Sequence, residues 1–219
     1  MNLTFPEIVT TQNIEKMTEL VKNGPEIYPG ANFVFKTSRT TSTNRRILPI
    51  SLKYGKEKVE LQVGDIVERH LVTGDVVLLN RQPTLHKQSM MGHRIKVVNN
   101  EDLITFRLSV AIVTPYNADY DGDEMNIFVP QSVQTQLELE EIACVEKQII
   151  TPTTSKTIVG IVQDGLIGGY NITNPATFID WRNAMNIISY TYSFHDATLL
   201  KNKNYLGSDI YSIIIPNGI

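Results

Sequence analysis

A single cysteine, Cys144, among 219 residues excludes an internal disulfide and any zinc site of the usual multi-cysteine kind. An intracellular chain is the expectation. Hydrophobic runs are equally scarce: none approaches the about 18 residues that a membrane-spanning helix requires, and the N-terminus lacks the charged-then-apolar layout of a signal peptide. Basic excess is missing too. With a formal net charge of −3, the chain has no electrostatic footprint of a free-standing nucleic-acid binder. Any contact with DNA or RNA must use a local basic surface or one shared with partners. There are no internal repeats and no low-complexity segment. The length suffices for one large or two small domains and a proper core.

Along the chain, residues 1–12 are short and polar, with Pro6, and Asn13 stands before Ile14, Met17 and Val21 at helical spacing. Asn13 reads as an N-cap and Gly24 as the residue past the C-terminus. From 33 to about 106 the pattern is β, with short runs at 33–35, 47–52, 59–61, 76–79 and 95–98 between turn residues, which suggests a barrel or sandwich. Ser132 is placed to cap a helix running to about Cys144, with Glu138, Glu140 and Glu141 on a solvated or partner-facing side. Residues 151–155 form a loop and the best domain boundary. Beyond it, 160–168 is apolar enough for a buried helix. Thr177-x-x-Asp180 reads as a capping box. Phe178, Trp181, Met185 and Ile188 form a helical stripe that belongs in a core.

Chemistry is concentrated in one stretch, Asn117-Ala118-Asp119-Tyr120-Asp121-Gly122-Asp123-Glu124-Met125-Asn126. On an extended backbone, residues i, i+2 and i+4 point to one side, so Asp119, Asp121 and Asp123 can converge on one point. Carboxylates within about 4–6 Å raise one another's pKa, and a bound divalent cation removes that penalty. Hard oxygen ligands select Mg²⁺, Mn²⁺ or Ca²⁺ over zinc, and Gly122 gives the backbone freedom to wrap a small ion. Two other readings share the spacing. One is an acidic turn without metal. The other is a calcium loop: Asn117, Asp119, Asp121 and Gly122 fall on positions one, three, five and six of an EF-hand. Position twelve needs a bidentate Glu, however, and is Phe128, or Pro130 if counting starts at Asp119. Pro115 also interrupts any helix leading in.

This decapeptide resembles the metal-binding signature of the largest subunit of multisubunit DNA-dependent RNA polymerases, whose centre is Asn-Ala-Asp-Phe-Asp-Gly-Asp. Tyr120 stands where that family usually has Phe. Further stretches are similar to successive landmarks of the same subunit, in the family's order: Asn80-Arg81-Gln82-Pro83-Thr84-Leu85-His86-Lys87, Ser89-Met90-Met91-Gly92-His93-Arg94, Val129-Pro130-Gln131-Ser132, Gly160-Ile161-Val162-Gln163-Asp164 and Ile215-Pro216-Asn217-Gly218-Ile219. The resemblance covers essentially the whole chain. Glu124, Asn126 and Gln82 look like the eukaryotic, archaeal and large-DNA-virus branch rather than the bacterial one.

The resemblance implies an α+β fold with a double-psi β-barrel. It divides the chain into an N-terminal segment with one helix (1–30), an active-site barrel domain, incomplete at its start, with the metal loop 117–126 and a following helix (31–150), and the start of a pore-forming region (151–219). It further implies a fragment, since the family's clamp lies upstream and its bridge helix and trigger loop downstream. The implied activity is template-directed nucleotidyl transfer from NTPs to an RNA 3′-OH, by a chain active only when assembled. Asp119, Asp121 and Asp123 would hold catalytic Mg²⁺, with a second ion arriving on the NTP, and Arg81, Pro83 and Asn117 would bind the substrate at its ribose. Read without the family, Arg81 is a surface ion pair. His86, Lys87, His93 and Arg94, with Lys96, give local positive charge that suits backbone phosphates, although either histidine fits a structural role equally well. Residues 37–46, ending in Arg45-Arg46, are a solvated loop or a loop reaching nucleic acid. Implied partners are the second-largest subunit, the remaining largest-subunit segments, the DNA template and the RNA product. The competing reading is a non-catalytic interaction or calcium-binding module that retains the loop.

Overall fold

A computed structural model describes residues 3–37, 47–55, 59–100, 102–190 and 204–215; Arg45, Arg46 and the final residues 216–219 lie outside that set. Its mixed helices and strands bear out the α+β reading, and the chain divides into two units, Met1–Gly160 and Ile161–Ile219.

The first unit opens with a strand that sequence patterning missed, β1 (Thr4–Ile8). Helix α1 (Ile14–Asn23) follows and buries Met17, Leu20 and Val21. Asn13 does precede it, but its side chain does not cap the helix. Its Nδ2 donates to the Ile8 carbonyl at 3.0 Å, tying the helix start back to β1. Next come β2 (Ala31–Thr37), β3 (Ile47–Ser51), the short α2 (Leu52–Gly55) and β4 (Ile66–His70). These strands form an antiparallel sheet in the order β1-β4-β2-β3. Pro6 and Pro49 both sit on its edge strands, where a missing N–H costs no ladder bond. The expected strand at 59–61 does not form; Val59 and Leu61 instead pack without a ladder against a core of Val9, Met17, Leu20, Val21, Ala31, Val34, Leu52 and Val67.

Arg69 of β4 connects this sheet to the next one. It is buried, pairs with Glu7 of β1, and forks onto both Asp75 oxygens at 2.8 and 2.9 Å. Deleting one member would strand a buried charge. Asp75 immediately precedes β5 (Val76–Asn80), the centre of a three-stranded sheet flanked by β6 (Met90–Arg94) and, later in the chain, a third strand. The register pairs Val76 with Arg94 and Asn80 with Met90, which places the strand upstream of the expected 95–98. Ile95 makes the last backbone pairings, with Gly74 and Asp75, and the chain then leaves the sheet.

Helix α3 (Val113–Tyr116), strand β7 (Asn126–Phe128), which is that third strand, and α4 (Val133–Glu141) complete the working part of this unit. Ser132 caps α4 as expected, its hydroxyl accepting from Thr135 N at 3.2 Å, but the helix stops at Glu141, short of Cys144. Gly92 is where β6 meets α4. A Cβ there would sit 2.6 Å from the Leu139 carbonyl oxygen, and Gly92 N donates to Ala143 O at 2.8 Å. Strands β8 (Ile150–Thr151) and β9 (Lys156–Thr157) make a small ribbon around the expected loop.

In the second unit, α5 (Asp164–Thr173) is not the buried helix expected at 160–168. It buries none of its residues, and Leu166, Ile167 and Tyr170 are exposed, because nothing among the described residues covers them. The capping box is also overturned. Thr177 Oγ1 donates to Asn171 O at 2.7 Å, and the next residues form β10 (Phe178–Asp180), so α6 starts only at Trp181 (Trp181–Ile188). The buried face of α6 is Ala184 and Ile188. Trp181 and Met185 are exposed, and Phe178 lies exposed on the strand. β11 (Asn204–Leu206) pairs with β10, and α7 (Gly207–Ile214) adds Ile210 to the small core.

Gly92→Ala forces a methyl against backbone, and overpacking of this kind costs about 1–3 kcal/mol. Thermal unfolding of the full chain should shift down accordingly. An unchanged melting temperature would mean that α4 does not press on β6.

Candidate metal centre

The acidic loop is slung between α3 and β7, and both of its ends are anchored. At its entry, Tyr116 is 1% exposed and packs with Leu79 and Met91. Its hydroxyl lies 2.6 Å from His93 Nε2 and donates to the Leu79 carbonyl at 3.4 Å. Burial pushes the phenol's pKa well up, so it stays protonated. Asn117 then takes left-handed geometry (φ 48°, ψ 42°), which asparagine tolerates better than most residues, and turns the chain out of the helix. Gly122 (φ 120°) supplies the second reversal. At the exit, Asn126 pairs with Asn80 on the central strand.

Between these anchors Asp119, Asp121 and Asp123 each present a carboxylate oxygen, all within 4.8 Å of one another. The cost is visible in their protonation. The hydrogen bond with Asp121 first, then lost solvent and the charges of Asp121 and Asp123, hold Asp119 above its ordinary carboxylate range. Asp123 is held below it, chiefly by Arg81, whose Nε donates to Asp123 Oδ2 at 2.7 Å; Asp119 N donates to the same oxygen at 3.2 Å. The guanidinium also reaches the Tyr116 carbonyl through Nη1 at 3.4 Å. One arginine against three ionised carboxylates leaves the cluster two charges short of neutrality, which is the charge of one divalent cation. Hard oxygen donors at this separation fit Mg²⁺ or Mn²⁺. The loop runs into a strand rather than a helix, so no helix–loop–helix unit surrounds it.

Pairing of Asn80 with Asn126 and with Met90 gathers the acidic loop and the 81–89 connection at one end of the sheet. Arg81, Pro83, His86, Lys87 and Asn117 therefore share that end with the carboxylates, and all but Arg81 are exposed. Arg94 does not. It stands four residues along β6, about 13 Å away at strand rise, and pairs with Glu140 of α4 at 3.0 Å. His93 also departs from the expected phosphate contact, because its Nε2 is committed to Tyr116. Sequence reasoning missed Tyr116 entirely. The available signal was an aromatic residue at the last position of an apolar turn directly before Asn-Ala-Asp. It also missed an open cleft of about 490 Å³ beside the loop, walled by Ile104, Phe106, Leu108, Tyr120 and Met125.

Three carboxylates with one arginine counterion, hung from a β-sheet, are a candidate set of ligands for a single divalent cation. Comparison with known proteins narrows the class. The family profile described as "RNA polymerase Rpb1, domain 2" matches residues 1–145, and "RNA polymerase Rpb1, domain 3" matches 148–219. The chain is 48% identical over 218 residues to DNA-directed RNA polymerase subunit 1 of Acanthamoeba polyphaga mimivirus, covering 100% of this chain and 15% of that protein. It is 42% identical over 219 residues to the Trypanosoma brucei brucei DNA-directed RNA polymerase II subunit RPB1-A, covering 99% of this chain and 12% of that one. The chain belongs to the Rpb1 family of RNA polymerase largest subunits, and it spans only those small fractions of its relatives' length.

Because Asp119 is raised, the stability it contributes is fully present below its ordinary value of 3.8 and is lost as pH rises through its raised value. In EDTA at neutral pH, Asp119→Asn should melt at or above the parent's temperature, with the gap closing as pH falls. Saturating Mg²⁺ should reverse the order, since a ligand stabilises only the protein that binds it. Melts of both chains in both buffers check this, and a parent indifferent to Mg²⁺ would count against the cage.

Proposed function

We propose that this chain is the catalytic-centre portion of a DNA-dependent RNA polymerase largest subunit, with Asp119, Asp121 and Asp123 holding the Mg²⁺ for nucleotidyl transfer. The observation that carries the reading is the convergence of the three carboxylates beside Arg81 in a chain matched along its length by Rpb1 profiles. The two sheets of the first unit are read as parts of a double-psi β-barrel, and the region from 151 onward as the start of the pore.

Asp119, Asp121 and Asp123 would hold one Mg²⁺ and the triphosphate would bring a second, which together would neutralise charge as an RNA 3′-OH attacks the α-phosphate and pyrophosphate leaves. The chain's own residues do the rest. The carboxylates hold a fixed position for the reacting end of the RNA. Arg81 spends Nε on Asp123 and Nη1 on the Tyr116 carbonyl, and keeps the donors on its outer edge for the ribose of the incoming nucleotide, where the 2′-OH separates RNA from DNA precursors. Asn117, exposed at the loop's first turn, joins it, and Pro83 stiffens the turn that carries Arg81. His86 and Lys87 are the basic groups placed to meet backbone phosphates, which position rather than specify. Their number is too small to hold a duplex, so DNA template and RNA product are gripped together with the second-largest subunit and the remaining segments of the largest one.

Two expectations test this in the reconstituted enzyme, read as extension of a primed RNA–DNA hybrid. Asp→Asn at any one of the three positions should abolish most activity, and a second Asn should add little, because residues acting as a unit are non-additive. Additive losses, or a near-normal single variant, would remove that residue from the cage. Arg81→Ala should slow NTP incorporation more than dNTP incorporation. A lost hydrogen bond from a charged group is worth about 1.5–3 kcal/mol, so sugar discrimination should fall roughly 10- to 100-fold. Equal losses on both sugars would place Arg81 on a phosphate or in the scaffold.

A further inference from the structure

We propose that His93 and the buried Tyr116 form a positioning pair for the acidic loop, so that the affinity of Asp119, Asp121 and Asp123 for a divalent cation depends on a hydrogen bond that none of the three makes. The inference rests on the metal reading above and gives His93 a role other than touching nucleic acid.

The connections run residue by residue. Tyr116 is the last residue of α3, one before the left-handed Asn117 and three before Asp119. Its ring is clamped in the core with Leu79 and Met91, and Ala118 and Met125, from the two ends of the loop, pack on the same cluster. Any shift of this ring therefore moves both ends of the loop. The ring itself is held from sliding by its hydroxyl. That oxygen donates to Leu79 O on the central strand and meets His93 Nε2 at 2.6 Å on the neighbouring strand. The 2.6 Å contact is the shorter of the two, and the histidine tautomer sets which partner donates in it. At the other end of the same residue, the Tyr116 carbonyl accepts from Arg81 Nη1, and Arg81 Nε holds Asp123. A continuous chain of contacts thus leads from His93 through Tyr116 and Arg81 to a carboxylate of the cage.

His93 is turned the wrong way for a phosphate contact. Its ring lines a small cavity of about 250 Å³ with Val76, Arg94, Glu140, Cys144 and Glu146, on the α4 side of β6. Two carboxylates there would oppose a phosphate. The imidazole serves as a rigid hydrogen-bond partner, and glutamine, whose side-chain amide falls near the position of Nε2 and can donate or accept, is the conservative substitute.

The test is Mn²⁺ binding to the full chain, followed by electron paramagnetic resonance, with thermal melts run in parallel. Tyr116→Phe and His93→Leu should each weaken Mn²⁺ binding about 10-fold, the low end of what outer partners of metal ligands contribute. The double variant should be no weaker than either single one, because both changes break the same bond. His93→Gln should restore affinity close to the parent's. A purely structural role predicts a lowered melting temperature with unchanged affinity in the folded protein. That result in Tyr116→Phe, where the ring and its packing remain, overturns the inference even if His93→Leu fails to fold. Parent binding that is lost in Asp119→Asn but retained in Tyr116→Phe defeats the positioning pair and leaves the metal reading standing. A parent that binds no Mn²⁺ defeats both.

Discussion

Three carboxylates within 4.8 Å of one another repel, and the first unit's architecture is the means of holding them there. An exposed loop left to itself would splay and let water screen each anion. This loop is denied that relaxation at both ends: Tyr116 is locked in the core at one, and Asn126 is paired with Asn80 of the central strand at the other. The central strand is in turn fixed from behind, since Asp75, just before it, is gripped by the buried Arg69 of the neighbouring sheet. Held in place, the cluster raises the pKa of Asp119, through its hydrogen bond with Asp121 and the neighbouring charges, while Arg81 lowers that of Asp123.

The convergence of the aspartates was legible from their spacing, but the physical route to it was not. Alternation on an extended strand places i, i+2 and i+4 on one side. The observed loop is irregular, and strand pairing resumes only at Asn126. Two backbone reversals, at Asn117 and Gly122, bring the oxygens together. Spacing allowed that outcome without dictating it. Arg81 shows a related limit. Its position after a strand was readable, whereas its hydrogen bond to Asp123 spans 42 residues of sequence and only the sheet register creates it. Tyr116 was invisible for the same reason: its partners lie on strands at Leu79 and His93, and no local pattern names them.

Elsewhere the differences between pattern and structure share a cause: a local signal does not specify which partner competes for it. Pro6 hid β1 because a proline weakens a strand pattern, although an edge strand accepts it. The Thr177-x-x-Asp180 box had the right residues for a cap, but β11 claimed Phe178–Asp180 as a strand and Thr177 turned to Asn171. The stripe Phe178, Trp181, Met185, Ile188 has helical spacing, yet only its last member is buried, because the helix starts later and rotates Ala184 inward. By contrast, the Ser132 cap needed nothing beyond its own turn, and it formed.

Arg81 joins the charge problem to the proposed selection of sugar, and the donor count of its side chain shows why an arginine is needed. A guanidinium has five N–H donors in a rigid plane. Here Nε is used on Asp123 and Nη1 on the Tyr116 carbonyl, so the plane is fixed before any substrate arrives, and donors remain on its outer edge. A lysine could neutralise Asp123 equally well as a point charge. It could not hold the carboxylate, the loop's entry and a ribose hydroxyl in one geometry. The same residue therefore sets how far the acidic cluster falls short of neutrality and where a sugar would be read, so a change that disturbs one function must disturb the other.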